Sequence, residues 1–214
     1  MRYARVDHNE LRENAFGVAL VDSADVSVTR NEVSGSSQAG IFASLGADVS
    51  VRGNRVTRSE SAIVYDSSDG DIRFNRIEQA ADAAIALFSG HDVEVGFNYV
   101  RESGVGVRLL EAHGNSLHHN LIEGSIRDGI LLDASDDNLI DRNLSRTNGA
   151  DGVHVTSQSN ANTIRQNQVR RNARFDCHDE TVGAGTAGTA NFWIYNHGDS
   201  AAPRGLCRAP RRLW

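Results

Sequence analysis

The chain contains no lysine, and all 22 of its basic residues are arginine. That removes Schiff-base and lysine proton-transfer chemistry, because a guanidinium stays protonated. Proline is confined to Pro203 and Pro210, so every earlier residue keeps a backbone amide to donate to a neighbouring strand. Apolar runs are short, the hydrophobic fraction is 39%, and nothing approaches the roughly 20 residues of a spanning helix. Met1-Arg2-Tyr3-Ala4-Arg5 does not lead into an apolar signal core, so export is expected to need a leader absent from this chain. A basic excess is lacking too: the formal net charge is −6, which argues against nucleic acid as a partner, since neutralising phosphates requires a basic face. The two cysteines, Cys177 and Cys207, are too few and too widely spaced for a CxxC redox pair or a zinc site.

What is present is a period. Asn9, Asn31, Asn54, Asn75, Asn98, Asn120, Asn143 and Asn167 recur at steps of 22, 23, 21, 23, 22, 23 and 24 residues. Around most of them lies an aliphatic residue three before and another two after, as in Val51-Asn54-Val56 and Ile72-Asn75-Ile77. Such a period predicts stacked coils that share one elongated core. A second aliphatic site precedes each asparagine by 12 to 14 residues: Val18, Ile41, Ile63, Ile85, Val107, Ile130 and Val153. Each is followed two residues later by another inward position, which is strand alternation. Three short strands per coil follow, separated by polar punctuation such as Ser67-Ser68-Asp69-Gly70. Helical periodicity is missing, and so is the leucine-dense pattern of leucine-rich repeats.

The asparagine row has two readings, a ligand-binding stripe or an internal ladder of side-chain amides bonding one another across the turns. The ladder is favoured, because an amide has both donors and acceptors for the coils above and below. A second row, Asn115, Asn138 and Asn162, is read the same way.

The coils Gly129-Ile130-Leu131-Leu132 through Asn138, Ile140 and Asn143, and Gly152-Val153-His154-Val155 through Asn162, Ile164 and Asn167, resemble the pectate-lyase-like superfamily and, more specifically, NosD-like repeats. The resemblance implies an all-β fold, a single-stranded right-handed parallel β-helix of about seven coils with three short strands each. The coils are expected over 1–172, and a carboxy-terminal cap with a basic tail over 173–214. No amino-terminal cap is visible. Either sequence upstream of Met1 is missing or another subunit covers that edge, and self-association there is an expected partner mode. At the far end Cys177 and Cys207 bracket a Gly/Thr/Ala-rich stretch. They suggest a disulfide closing a cap loop, and hence an oxidising compartment; two buried thiols are the alternative. Trp193 is read as plugging the last coil, and Arg208, Arg211 and Arg212 with Pro210 as a frayed basic end.

In β-helix carbohydrate enzymes the groove usually follows the outer face of one stacked strand, and the resemblance points to the outward positions of the first strand. Most are apolar or small, but Arg108, Asp133 and His154 come from three successive coils and are the expected catalytic trio. Arg108 would neutralise a uronate carboxylate while Asp133 and His154 exchange protons. Asp66, Glu111, Asp128 and Asp151 are the expected substrate-binding residues. A solvated Arg/Asp pair and Asp-Gly turns are the plain alternative. The superfamily's sharper signatures are missing: an Asp-Pro-His motif is impossible here, and Gly90-His91 lacks neighbouring aspartates.

No metal site is expected, and no cofactor is required. Calcium has only Asp69-Gly70-Asp71 and Asp136-Asp137-Asn138 in its favour, both better read as turns, and Asp66 and Asp133 lie about 14 Å apart at the usual strand spacing. His118 and His119, as strand neighbours, are expected to diverge, and with His113 in the preceding turn they are better read as exposed histidines than as a copper or zinc site. The expected function is binding, and processing by a lyase or epimerase, of an extracellular or periplasmic polysaccharide of uronate type. The alternative is a non-catalytic structural or assembly module, the carboxy-terminal part of a larger surface protein.

Overall fold

The computed structural model describes residues 2–209. Pro210, Arg211 and Arg212, read above as part of a frayed tail, lie outside the described residues. Arg208 is tied down: its amide donates to the Asn196 carbonyl at 3.0 Å, and its own carbonyl accepts from Gly198 at 3.1 Å.

The chain winds through about nine turns of a right-handed parallel β-solenoid. Two turns more than the asparagine count suggested arise because strand pairing continues past Asn172. The strand Cys177–Asp179 pairs with Val153–Val155, and Phe192–Ile194 with Thr163–Arg165. The sequence signal fails there because the step from Asn167 to the next ladder asparagine, Asn196, stretches to 29 residues.

Three strands per coil hold for most turns, but not for the second and third. The strands Ala39–Arg52 and Ser61–Arg73 run unbroken around the first corner, so two faces of the solenoid merge into one 16-stranded sheet beside an 8-stranded one. Ser67-Ser68-Asp69-Gly70, expected as a break, lies inside a strand. Gly70 makes this corner compatible with the core, since a Cβ there would collide with the hydroxyl of the fully buried Tyr65. That hydroxyl donates to the Val49 carbonyl at 3.3 Å.

The core is columnar. Val28, Val51, Ile72, Val95, Leu117, Ile140 and Ile164 stack in register, and Trp193 closes the column above Ile164. Each fully buried aliphatic side chain contributes about 1.5–3 kcal/mol. Trp193 is 5% exposed, and its ring N–H donates to Asp179 at 2.8 Å. Cys177 takes the inward place held below by Val153 and is bonded to Cys207, 30 residues on.

The asparagines form the internal ladder. Each ladder residue from Asn31 to Asn167 accepts on its side-chain oxygen from both the amide and the side chain of the asparagine below. Asn98, for example, accepts from Asn75 at 3.0 Å twice, and donates to the Ile72 carbonyl at 2.7 Å and to Asn120 at 3.0 Å. The residue just before each ladder asparagine has φ between +52° and +65° in Arg30, Gly53, Phe74, Phe97, His119, Arg142, Gln166 and Tyr195. For a non-glycine residue that conformation costs about 1–2 kcal/mol. The amide ladder offsets it by pairing the asparagine amide of the coil below and a strand carbonyl at each corner, as Asn98 does for Asn75 and Ile72.

Candidate functional site

On the outer face of the first strand, Arg108, Leu131, His154 and His178 occupy one register column. His154 lies on Val153–Val155 and His178 on Cys177–Asp179, where alternation turns both rings outward between inward-facing residues. Stacking of adjacent coils brings the rings face to face, 4.5 Å apart and 13° from parallel. Asp128 and Asp151, each one residue before the strand glycine, converge on this pair. His154 Nδ1 lies 3.5 Å from Asp128 and 3.8 Å from Asp151, while His178 Nδ1 meets the fully buried Asp151 at 2.7 Å. Glu180 covers the outer edge, 3.2 Å from His154 Nε2 and 3.9 Å from His178 Nε2. Arg174 reaches to within 3.6 Å of Asp151, and Phe175 packs against His178 with ring centroids 5.1 Å apart.

The electrostatics follow from this crowding. Burial opposes charge on His154, but the Asp128 carboxylate, then Glu180 and Asp151, outweigh it and hold the ring above the ordinary histidine value. For Asp128 burial likewise opposes ionisation, yet the bond to His154 and the Asp151 amide keep its carboxyl below the usual range. The result is a His154 ring whose protonated form the surrounding carboxylates favour, beside a second ring oriented by its own aspartate. Two such groups can take up and release protons on one surface.

Of the residues expected from sequence, Asp128, Asp151 and His154 come together. Arg108 lies two coils from His154 with Leu131 between, and it is committed to Asp82 through 3.1 and 3.3 Å contacts; Arg127 joins the same carboxylate at 2.9 Å. Asp133 sits in the adjacent column and accepts from the Thr156 hydroxyl at 3.1 Å, because two residues along a strand separate it from the histidine column. Asp66 accepts from Ser44 at 3.2 Å, several coils away. Glu111 is exposed in a corner at φ +52°.

His178, Glu180 and Arg174 were not anticipated. Their signal is an offset of 24 residues that aligns Asp151-Gly-Val-His154 with Phe175-Asp-Cys-His178. It was hidden because Cys177 and Asp179 replace the inward pair that in the other first strands is aliphatic, Tyr65 apart.

His118 and His119 do not diverge as expected. His119 enters the corner at φ +53°, which ends the alternation and leaves the two Nδ1 atoms 3.1 Å apart. His118 Nε2 meets Glu94. Its pKa is lowered, first by burial and then by the Arg73 charge.

A family model described as periplasmic copper-binding protein (NosD) matches residues 2–91 and 40–196. The chain belongs to the NosD family. No curated protein sequence matches it significantly. Among solved structures, a mutant of the periplasmic alginate epimerase AlgG superposes with a TM-score of 0.79 at 15% identity over 92% of this NosD-family chain. The chain spans 50% of that structure's length. The A-module of mannuronan C-5 epimerase AlgE4 from Azotobacter vinelandii gives 0.66 at 16% identity, covering 93% of this chain and 68% of that one. The tailspike of E. coli bacteriophage HK620, solved with a pentasaccharide, gives 0.66 at 13%, covering 91% and 44%. At these identities the likeness is one of fold. No helix among the described residues is long and apolar enough to cross a membrane.

The family description names copper, and the donor set can be tested for it. Among the described residues the group offering three ligand atoms within 4.8 Å of one another is Asp151, His154 and His178. An imidazole binds a metal in its ring plane at about 2.0–2.1 Å, and an ion between two nearly parallel stacked rings lies in neither plane. Asp151 is also saturated by His178, the Phe175 amide at 2.9 Å and Arg174. These residues, as placed, do not fit a bound copper ion. His118 and His119 bring two nitrogens together, but among the described residues no third ligand atom joins them.

Proposed function

We propose that this NosD-family chain binds, and acts on, an acidic polysaccharide of uronate type along the outer face of its first strand, in an extracellular or periplasmic setting. The observation that carries the reading is the stacked His154–His178 pair held between Asp128, Asp151 and Glu180. Support comes from the solenoid shared with polysaccharide epimerases and a glycan-bound tailspike, and from Arg108, Arg127 and Arg174 on the same side.

In this reading His154 is the proton donor, because its carboxylate neighbours favour the imidazolium. His178, with Nδ1 turned to Asp151, presents Nε2 as the acceptor for the proton alpha to the uronate carboxylate. Arg174 stabilises the enolate-like charge that develops when that C–H bond breaks, and Arg108, two coils away, helps bind the carboxylate of a neighbouring sugar. Return of a proton from solvent to the opposite face, away from the two rings, gives the epimer. Expulsion of the glycosidic oxygen, protonated by His154, gives an unsaturated end and a new reducing end. Asp133, two residues off the histidine column, takes no part.

One observation favours the non-catalytic alternative: Asp128, Asp151 and Glu180 already have protein partners. A single panel decides. Alginate, pectate and a glycosaminoglycan are incubated with the chain, and unsaturated ends, reducing ends and epimer ratio are followed. His154→Ala and His178→Ala should each abolish product, and Arg108→Ala should raise KM more than it lowers kcat. Turnover untouched by both histidine substitutions, or none on any substrate, removes the proposal.

A further inference from the structure

The corner that carries the asparagine ladder also carries a groove remote from the histidine pair. Its rim is His119, Arg142, Gln166 and Tyr195, the residues just before Asn120, Asn143, Asn167 and Asn196. Its floor is Leu144, Gln168 and His197. Four left-handed corners, with φ from +52° to +55°, place the rim side chains in solvent, and all four are exposed. The groove has a volume of about 640 Å³, within the range of small-ligand sites. Because rim and floor residues each come from successive coils, it runs along the solenoid axis for about 14 Å at the usual strand spacing.

Three observations say what it takes. Tyr195 offers an aromatic ring 75% exposed at one end. At the other, His119 stacks on Phe97 at 4.9 Å and Phe97 on Phe74 at 5.2 Å, continuing the rim as an exposed aromatic ladder. Amide, imidazole and guanidinium groups between them supply planar donors and acceptors. No carboxylate lines the groove, although the chain carries a net charge of −6. Beneath it Asp141 is shared by two guanidiniums, Arg142 at 2.7 Å and Arg165 at 3.1 Å, leaving a local positive surplus.

We infer that this groove is a second glycan-binding site, taking an extended acidic oligosaccharide parallel to the solenoid axis and holding the polymer without reacting with it. The inference shares with the proposed function only the class of ligand, and stands whether or not the histidine pair is catalytic.

The test is calorimetric titration of the full chain with alginate and pectate oligosaccharides, with cellohexaose as the neutral comparator, alongside the histidine ring resonances. Tyr195→Asn keeps a residue that tolerates positive φ and removes the ring. Gln168→Glu puts a carboxylate on the floor. Each should weaken uronate binding about tenfold, with the His119 and His197 resonances moving in the wild type. In a His154→Ala background Tyr195→Asn should still weaken uronate binding about tenfold. If only His154→Ala weakens binding, the groove is excluded while the reading of the histidine site survives. Equal affinity for cellohexaose overturns the acidic class, and wild-type binding by both groove variants overturns the site.

Discussion

Replacing Asn98 by alanine tests the energetic logic of the whole solenoid. The side chain is 2% exposed and sits in mid-ladder. Its removal strands the amide and one side-chain N–H of Asn75, both of which it accepts at 3.0 Å, and takes the donor at 2.7 Å from the Ile72 carbonyl. Each of these three buried polar groups left unpaired costs about 1–3 kcal/mol, so the expected loss is at least about 3 kcal/mol, or roughly 6–12 °C or more in Tm for a chain of this size. Asn9→Ala is the matched control. Asn9 is exposed at the start of the ladder and its side-chain oxygen accepts nothing among the described residues, so its loss should cost less than about 1 kcal/mol. Asn98→Asp sharpens the test. It keeps the acceptor but faces the Ile72 carbonyl and the Asn120 oxygen with a buried carboxylate, so its stability should rise on acidification. Urea unfolding followed by circular dichroism reads all three. An Asn98→Ala chain within about 1 kcal/mol of wild type would mean that the ladder is incidental and the columnar core alone holds the coils.

Reduction of Cys177–Cys207, or Cys207→Ser, should lower stability by about 3.5 kcal/mol from the entropy of a 30-residue loop, measured as the thermal shift with and without reductant. The raised pKa of His154 makes its contribution fully present below the ordinary histidine value and lost as pH rises through the raised one. The lowered pKa of Asp128 makes its own contribution present above the ordinary carboxylate value and lost on acidification. Urea midpoints should therefore fall as pH rises past the ordinary histidine range, and His154→Gln should flatten that fall. Cu(II) at a slight excess, or a chelator, should leave Tm unchanged. A rise of several degrees with Cu(II), lost in His178→Ala, would mean that the rings rotate to bind metal.

The repeat was legible because burial and amide bonding act on every coil alike, and a chemical requirement imposed each turn prints itself at a fixed period. The inward columns, the parallel coils, the asparagine ladder and the meeting of Asp128, Asp151 and His154 follow from Val, Ile, Gly, Asn and Asp recurring in step. The sequence was silent where one side chain stood in for another, as Cys177 and Asp179 do for aliphatic residues, or where the period stretched, as it does before Asn196. Those places conceal the last coils, and with them His178 and Glu180. Tertiary structure alone decided which outward residues touch. Contacts between coils depend on register and on the next coil's side chain, so Arg108 turned to Asp82, Asp133 to Thr156, and two imidazoles from different turns were laid one upon the other.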